Sequence, residues 1–158
     1  MINERVAALL IDQVGSELGA HQAYLGISLY FERQSLAKWA RLFRRQSAEE
    51  AEHATRIIGF LIDNEAPFDL PAIGSATTTF ASAADAERAA LESELRVTGQ
   101  VDALASAAME ASDHRSLQFL QWFIDEQVEE ERTMRGLLDL VESGINLFQA
   151  QGLLPDDA

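Results

Sequence analysis

No cysteine occurs anywhere in the chain, which removes disulfide frameworks, thiolate metal sites and cysteine nucleophiles together. Any bound metal must then sit on oxygen and imidazole. Positive charge is scarce as well. Twelve Lys and Arg face 26 Asp and Glu, a formal net charge of -14, so the phosphate attraction that drives nucleic-acid binding is missing. Such acidity favours cations, or serves solubility alone. No apolar run reaches the ~18 residues that span a bilayer, so no membrane partner is expected. The N-terminus runs from Met1 to Arg5 directly into an amphipathic pattern containing Asp12 and Gln13, without an apolar signal segment, and a cytoplasmic protein is expected. At 158 residues with 47% hydrophobic content, the chain can bury one sizeable core, which gives a single domain over 1–158.

Proline is confined to Pro67, Pro71 and Pro155, leaving 3–65 and 82–143 free of it and rich in Ala, Leu, Glu and Arg. Those stretches read as helical. Glu32 to Ser35 interrupts the first, and Ser35 can cap the helix after it, giving helices at about 4–33 and about 36–65. Ser112, Asp113 and His114 interrupt the second, with Ser112 or Asp113 as the cap, giving helices at about 84–111 and about 115–143. Short joints make each pair antiparallel. Ala66 to Ser82, with two prolines, Gly74 and the Thr77–Thr79 run, is too polar and too broken to be helical. Extended at ~3.3 Å per residue, this segment can travel the ~45 Å length of such a helix, so the third helix can start beside the start of the second. The expected architecture is all-α: a four-helix bundle with a long crossover between the second and third helices. A short fifth, C-terminal helix at about 145–154 is too brief to stand alone. Its Ile145, Leu147, Phe148, Leu153 and Leu154 pack either on their own bundle or at a subunit contact. Gly15, Gly19 and Gly26 inside the first helix each cost ~1 kcal/mol relative to Ala, which close approach of a neighbouring backbone would explain.

Followed at steps of three and four, each helix traces a core-facing stripe with a polar interruption. The first carries Glu17, His21 and Tyr24 among Leu10, Val14 and Phe31, and the second carries Gln46, Glu50 and His53 between Phe43 and Ile57. The third carries Glu94 and Thr98 between Leu91 and Val101, and the fourth Gln127 and Glu130 between Phe123 and Met134. Glu17, Glu50 and Glu130 fall near the middle of their helices and Glu94 within a turn of it, so the bundle brings four carboxylates to nearly one level. Buried carboxylates must protonate, pair with cations or hold metal. No Lys or Arg lies on these stripes, and the one suitable neighbour is His53, a turn from Glu50 on the same face. Two divalent ions would bring four positive charges to the four carboxylates. Oxygen-rich ligation with a single imidazole suits iron or manganese better than zinc, and hard carboxylates stabilise the ferric state.

The segment around Glu17 and Tyr24, EEAEHA at 49–54 and FLQWFIDEQVEEE at 119–131 resemble the bacterial non-haem ferritins, over essentially the whole chain and including the short fifth helix. The resemblance implies a ferritin-like fold and an iron-storage ferroxidase that oxidises Fe(II) with dioxygen or peroxide. It also implies a centre with Glu17, Glu50 and His53 on one iron, Glu50 bridging to Glu94 and Glu130 on the other, and Gln127 as a hydrogen-bonding neighbour. A third iron position would correspond to Glu49, Glu126 and Glu129. Tyr24 would be an electron donor or a core aromatic with a bonded hydroxyl. The family's cage is a homo-oligomer of 24 subunits. Bacterioferritins and rubrerythrins carry a second Glu-x-x-His on the fourth helix, where Gln127 and Glu130 stand here, and bacterioferritins bind haem through a methionine where Ala51 stands. No haem is therefore expected. Leu117 and Leu120 occupy positions where animal ferritins line a channel with acids. A non-storing di-iron oxidase or peroxidase of the same fold is the alternative reading, and a metal-free structural bundle with protonated acids is a third.

Overall fold

A computed structural model describes residues 1–156. Four long helices, α1 (Glu4–Arg33), α2 (Ala37–Asp63), α3 (Ala83–Glu110) and α4 (His114–Glu142), are followed by a single turn of helix, α5 (Leu147–Ala150), and a 3-10 turn (Gln151–Leu153). No strand occurs among the described residues. Side chains that accept from orphan backbone donors start three of the long helices: Asn3 accepts from Arg5 and Val6, Ser82 from Asp85, and Asp113 from Ser116. Asp113 also accepts from the Asn3 backbone N–H at 2.8 Å, which ties the starts of α1 and α4 together.

Ser35 does not cap α2. It lies in the left-handed region at φ 60°, as do Glu65 (φ 55°) and Ser112 (φ 53°), and the position before α2 is Leu36, with no side-chain cap. Each left-handed residue closes the helix before it by the same paired bonds. The amides of Leu36, Ala66 and Asp113 reach back to Phe31, Leu61 and Ala108 at 3.0, 3.0 and 2.8 Å. The serine therefore ends one helix instead of opening the next, and the sharp reversal makes the pairs antiparallel.

α1 packs along α2 and α3 along α4, and α1 against α3 joins the pairs. The crossover runs so close over α1 that a Cβ on Gly26 would lie 2.1 Å from the Thr77 carbonyl oxygen, so only glycine fits there. A Cβ on Gly15 would lie 3.1 Å from the Pro71 ring, whereas one on Gly19 would meet nothing within 4 Å, so Gly19 is left without this explanation.

Two apolar clusters fill the bundle. Tyr24, Phe31, Trp39, Phe43, Leu91 and Met134 belong to one, and Val14, Ile57, Leu61, Leu104, Leu120 and Phe123 to the other. The tail folds onto the first. Trp39 Nε1 donates to the Leu147 carbonyl at 3.1 Å, Lys38 Nζ donates to that of Leu154 at 3.1 Å, and Ala150 and Leu154 are buried. Phe148 and Leu153 point outward at 58% and 66% exposure, so the tail offers both an inner and an outer apolar face.

Candidate metal centre

Between the two clusters lies the polar band. Glu17 from α1, Glu50 and His53 from α2, Glu94 from α3, and Gln127 and Glu130 from α4 are all buried, each on the inward stripe of its helix. His53 Nδ1 stands 3.3 Å from Glu50 Oε2 and 3.8 Å from Glu17 Oε2. Tyr24 donates its hydroxyl to Glu94 Oε1. Gln127 Nε2 lies 3.2 Å from Glu94 Oε2 and 3.3 Å from the Glu94 carbonyl. Glu17 Oε1 accepts from Gln13 at 2.9 Å, but Glu17 Oε2 and Glu50 Oε1 are buried without a hydrogen-bond partner. Two unpartnered buried acceptors cost several kcal/mol unless a proton, a cationic side chain or a metal completes them.

Three sets of side chains each offer ligand atoms within 4.8 Å of one another: Glu17, Glu50 and His53; Glu50, Glu94 and Glu130; and His53, Glu126 and Glu130. The first two share Glu50 and lie wholly in the core. Of the residues associated with a third position, only Glu126 joins a set. Glu49 is drawn instead toward Gln46 Nε2 (3.1 Å) and Arg45 Nε (3.7 Å), and Glu129 is exposed.

The electrostatics describe a site short of positive charge. Burial raises Glu50, with the neighbouring Glu94 and Glu17 adding to the effect against the opposing His53. Burial and the Glu94 charge push Glu130 up to about 8. Glu94 is raised by burial too, but Tyr24 and Gln127 pull it back by donating to the charged form. Burial disfavours the His53 cation, yet the bonds and charges of Glu17 and Glu50 outweigh it and raise its pKa. Tyr24 is held well above the ordinary phenol range by burial and the surrounding carboxylates. Four buried carboxylates thus gather around one imidazole.

Several further side chains in and near the band are not evident from the sequence. Gln13 sits one turn before Glu17, and the i,i+4 spacing is its signal. Trp122 presents its ring edge-on to His53 at 5.3 Å while Arg56 lies over it at 4.1 Å, a stack that no local pattern announces. Glu87, fully buried with neither oxygen hydrogen-bonded, stands two turns before Glu94 on α3, where the same stripe extended toward the helix start would reach it.

The ferritin-like domain family matches residues 7–143. The chain belongs to that family. Among ferritin relatives, ferritin BfrB of Mycolicibacterium smegmatis is 36% identical over 95% of this chain and 83% of its own length. The bacterial non-heme ferritin of Bacteroides fragilis is 30% identical over 96% and 98%. An open pore ferritin from the hyperthermophilic archaeon Archaeoglobus fulgidus superposes with a TM-score of 0.93 at 25% identity, covering 97% of each chain. The all-helical bundle with its short C-terminal helix is thus a ferritin fold. None of its helices is long and apolar enough to cross a membrane among the described residues.

Proposed function

We propose that this ferritin-family chain, acting as one domain over 1–158, takes up ferrous iron as its substrate at the paired triads, oxidises it and stores the ferric product. The supporting observation is the sharing of Glu50 between two buried ligand sets, Glu17–Glu50–His53 and Glu50–Glu94–Glu130. The donor set fits iron: four carboxylates and one imidazole are hard ligands that favour the ferric state, and two of their buried oxygens have no hydrogen-bond partner. Adjacent positions let two ferrous ions each release one electron to dioxygen, which leaves as hydrogen peroxide after taking up two protons. Peroxide can accept two further electrons in the same way.

In this reading Glu50 bridges, His53 orients the first ion, Gln127 and Tyr24 hold Glu94 in place, and Tyr24 can supply an electron. A third ion would sit at the mouth of the site by Glu126, with Glu49 and Glu129 turning toward it. No haem is required. Copies of the chain, 24 in the reading taken from the family, would enclose the mineral in a cytoplasmic cage.

Aerobic loading of metal-free protein with excess Fe(II), followed by size-exclusion chromatography with iron and protein measured in each fraction, tests this. Large particles carrying far more iron than the named ligands can hold are expected. Iron stopping at two or three ions per subunit on a small species would replace storage with a non-storing oxidase, and no bound iron would overturn both.

A further inference from the structure

Beyond the ligand shell, a hydrogen-bonded chain leads from the centre to the surface. Gln127 Nε2 lies 3.3 Å from Thr98 Oγ1, Thr98 Oγ1 donates to Glu131 Oε1 at 2.7 Å, and Arg135 holds the other Glu131 oxygen at 3.3 Å. The chain emerges in a cavity of about 590 Å³ between α3 and α4, whose lining includes Thr98, Gln127, Glu131 and Arg135. Gln127 therefore both lines this cavity and bonds to Glu94.

The direction of the bonds matters. A threonine hydroxyl can donate or accept, and a glutamine amide can turn either its NH2 or its carbonyl toward a neighbour. A carboxylate only accepts. Glu131 therefore commits the Thr98 hydrogen outward and leaves only lone pairs facing Gln127. Thr98 Oγ1, the Glu94 carbonyl and Glu94 Oε2 then surround the Gln127 nitrogen as acceptors, and the reversed amide would set its carbonyl against all three.

We propose that Thr98 and Glu131 are positioning residues that fix the polarity of the Gln127 amide, so that Glu94 is held by an N–H donor in the geometry its metal position needs. The proposal rests on the reading of Glu50, Glu94 and Glu130 as one of two metal positions. Outer hydrogen-bond partners of ligating side chains typically tune affinity 10- to 100-fold, and Thr98 stands one bond further out, so an effect of about tenfold is expected there.

Co(II), a spectroscopically visible divalent probe, should titrate into the full-length protein in two steps per subunit. Thr98→Val, nearly isosteric but without the hydroxyl, should weaken one step about tenfold, leave the other unchanged and alter the d–d spectrum of the weakened ion. Thr98→Ser should restore both affinity and spectrum. Glu131→Ala should act in the same direction with smaller size, because the Thr98 hydroxyl becomes free to turn. A general loss of packing would weaken both steps and would not be cured by serine. Two unaltered steps in Thr98→Val, or a loss that Thr98→Ser fails to repair, would overturn the proposal while leaving the metal centre intact. Wild-type protein that binds no pair of cobalt ions would overturn the underlying reading and this proposal with it.

Discussion

Glu94 and Glu50 stand in one buried band, yet their surroundings differ. Both oxygens of Glu94 have donors, Tyr24 on one and Gln127 on the other. Glu50 has His53 beside one oxygen and no hydrogen-bond partner on the other, and the facing Glu17 likewise keeps one bare oxygen. Glu94 is completed by protein donors, whereas Glu50 and Glu17 are not. Two donors favour the charged form of a carboxylate, whereas bare carboxylates facing each other are stable only when protonated or bridged. In the proposed centre, the donor-held carboxylate would set geometry and the unpartnered pair would favour metal uptake.

Removing the shared ligand should break this comparison outright. Glu50→Ala is expected to abolish paired binding and lower the rate of Fe(II) oxidation by more than about a hundredfold, since outer partners alone are worth 10- to 100-fold. The metal-free variant should unfold at the same or a higher temperature, because a bare buried acceptor and its repulsions are gone. Stopped-flow oxidation and thermal melts of the same preparation measure both.

Tyr24→Phe should convert the completed half into an uncompleted one. Loss of the donor to Glu94 Oε1 predicts about a tenfold weaker second metal step, with a stability loss of about 1 kcal/mol in the metal-free protein. Calorimetric titration and denaturant unfolding give the two numbers.

The pH dependence sharpens the same contrast. Glu50, Glu94, Glu130 and Glu87 all have pKa values raised by burial, so the folded metal-free protein binds more protons than the unfolded chain once pH exceeds the ordinary carboxylate range. Stability then falls as pH rises. His53, raised by Glu17 and Glu50, acts in the same sense, since its contribution is lost as pH climbs through its folded value. Melting temperature without metal should therefore decline from the carboxylate range upward, through about 8 for Glu130 and on to about 9 for Glu50 and about 10 for His53. With Co(II) present the decline should shrink or reverse, because metal replaces the protons. Parallel melts across that range test the sign.

The effect expected to leave metal binding untouched concerns an acid outside the centre. Glu87 is fully buried near the first apolar cluster with no partner for either oxygen among the described residues. Glu87→Leu should stabilise the metal-free protein by about 1–3 kcal/mol at neutral pH, the usual penalty of an unsatisfied buried polar group. The gain, read by denaturant unfolding, should shrink toward acid, where the folded-state acid is protonated at less cost. Cobalt binding should not change.

How much of this is legible in the chain depends on the range of the interaction. Helix periodicity exposes Glu17, Glu50, Glu94 and Glu130, because a carboxylate on a stripe of Leu, Phe and Val is conspicuous within a few residues. The all-helical bundle emerges from the same pattern, and from a crossover too rich in Pro and Thr to be helical. Ser35 misleads because a serine between helices looks like a cap, while the bond from Leu36 back to Phe31 leaves no local mark. The tail is ambiguous in sequence for a related reason: Lys38 and Trp39, which hold it, lie more than a hundred residues away along the chain. Thr98 is visible on its stripe, but its use depends on Glu131 from another helix. Contacts between helices, not composition, separate a ligand from its support.

The most direct test of the shared centre is a crystal structure of the metal-loaded protein, with anomalous scattering recorded at the absorption edge of the bound ion. The account predicts two peaks per subunit, about 3.5–4 Å apart as in other two-metal sites, with Glu50 between them, His53 on one ion and Glu94 on the other. Peaks confined to Glu126 and the outer acids, or a single ion that leaves Glu50 and Glu17 as they stand without metal, would contradict it.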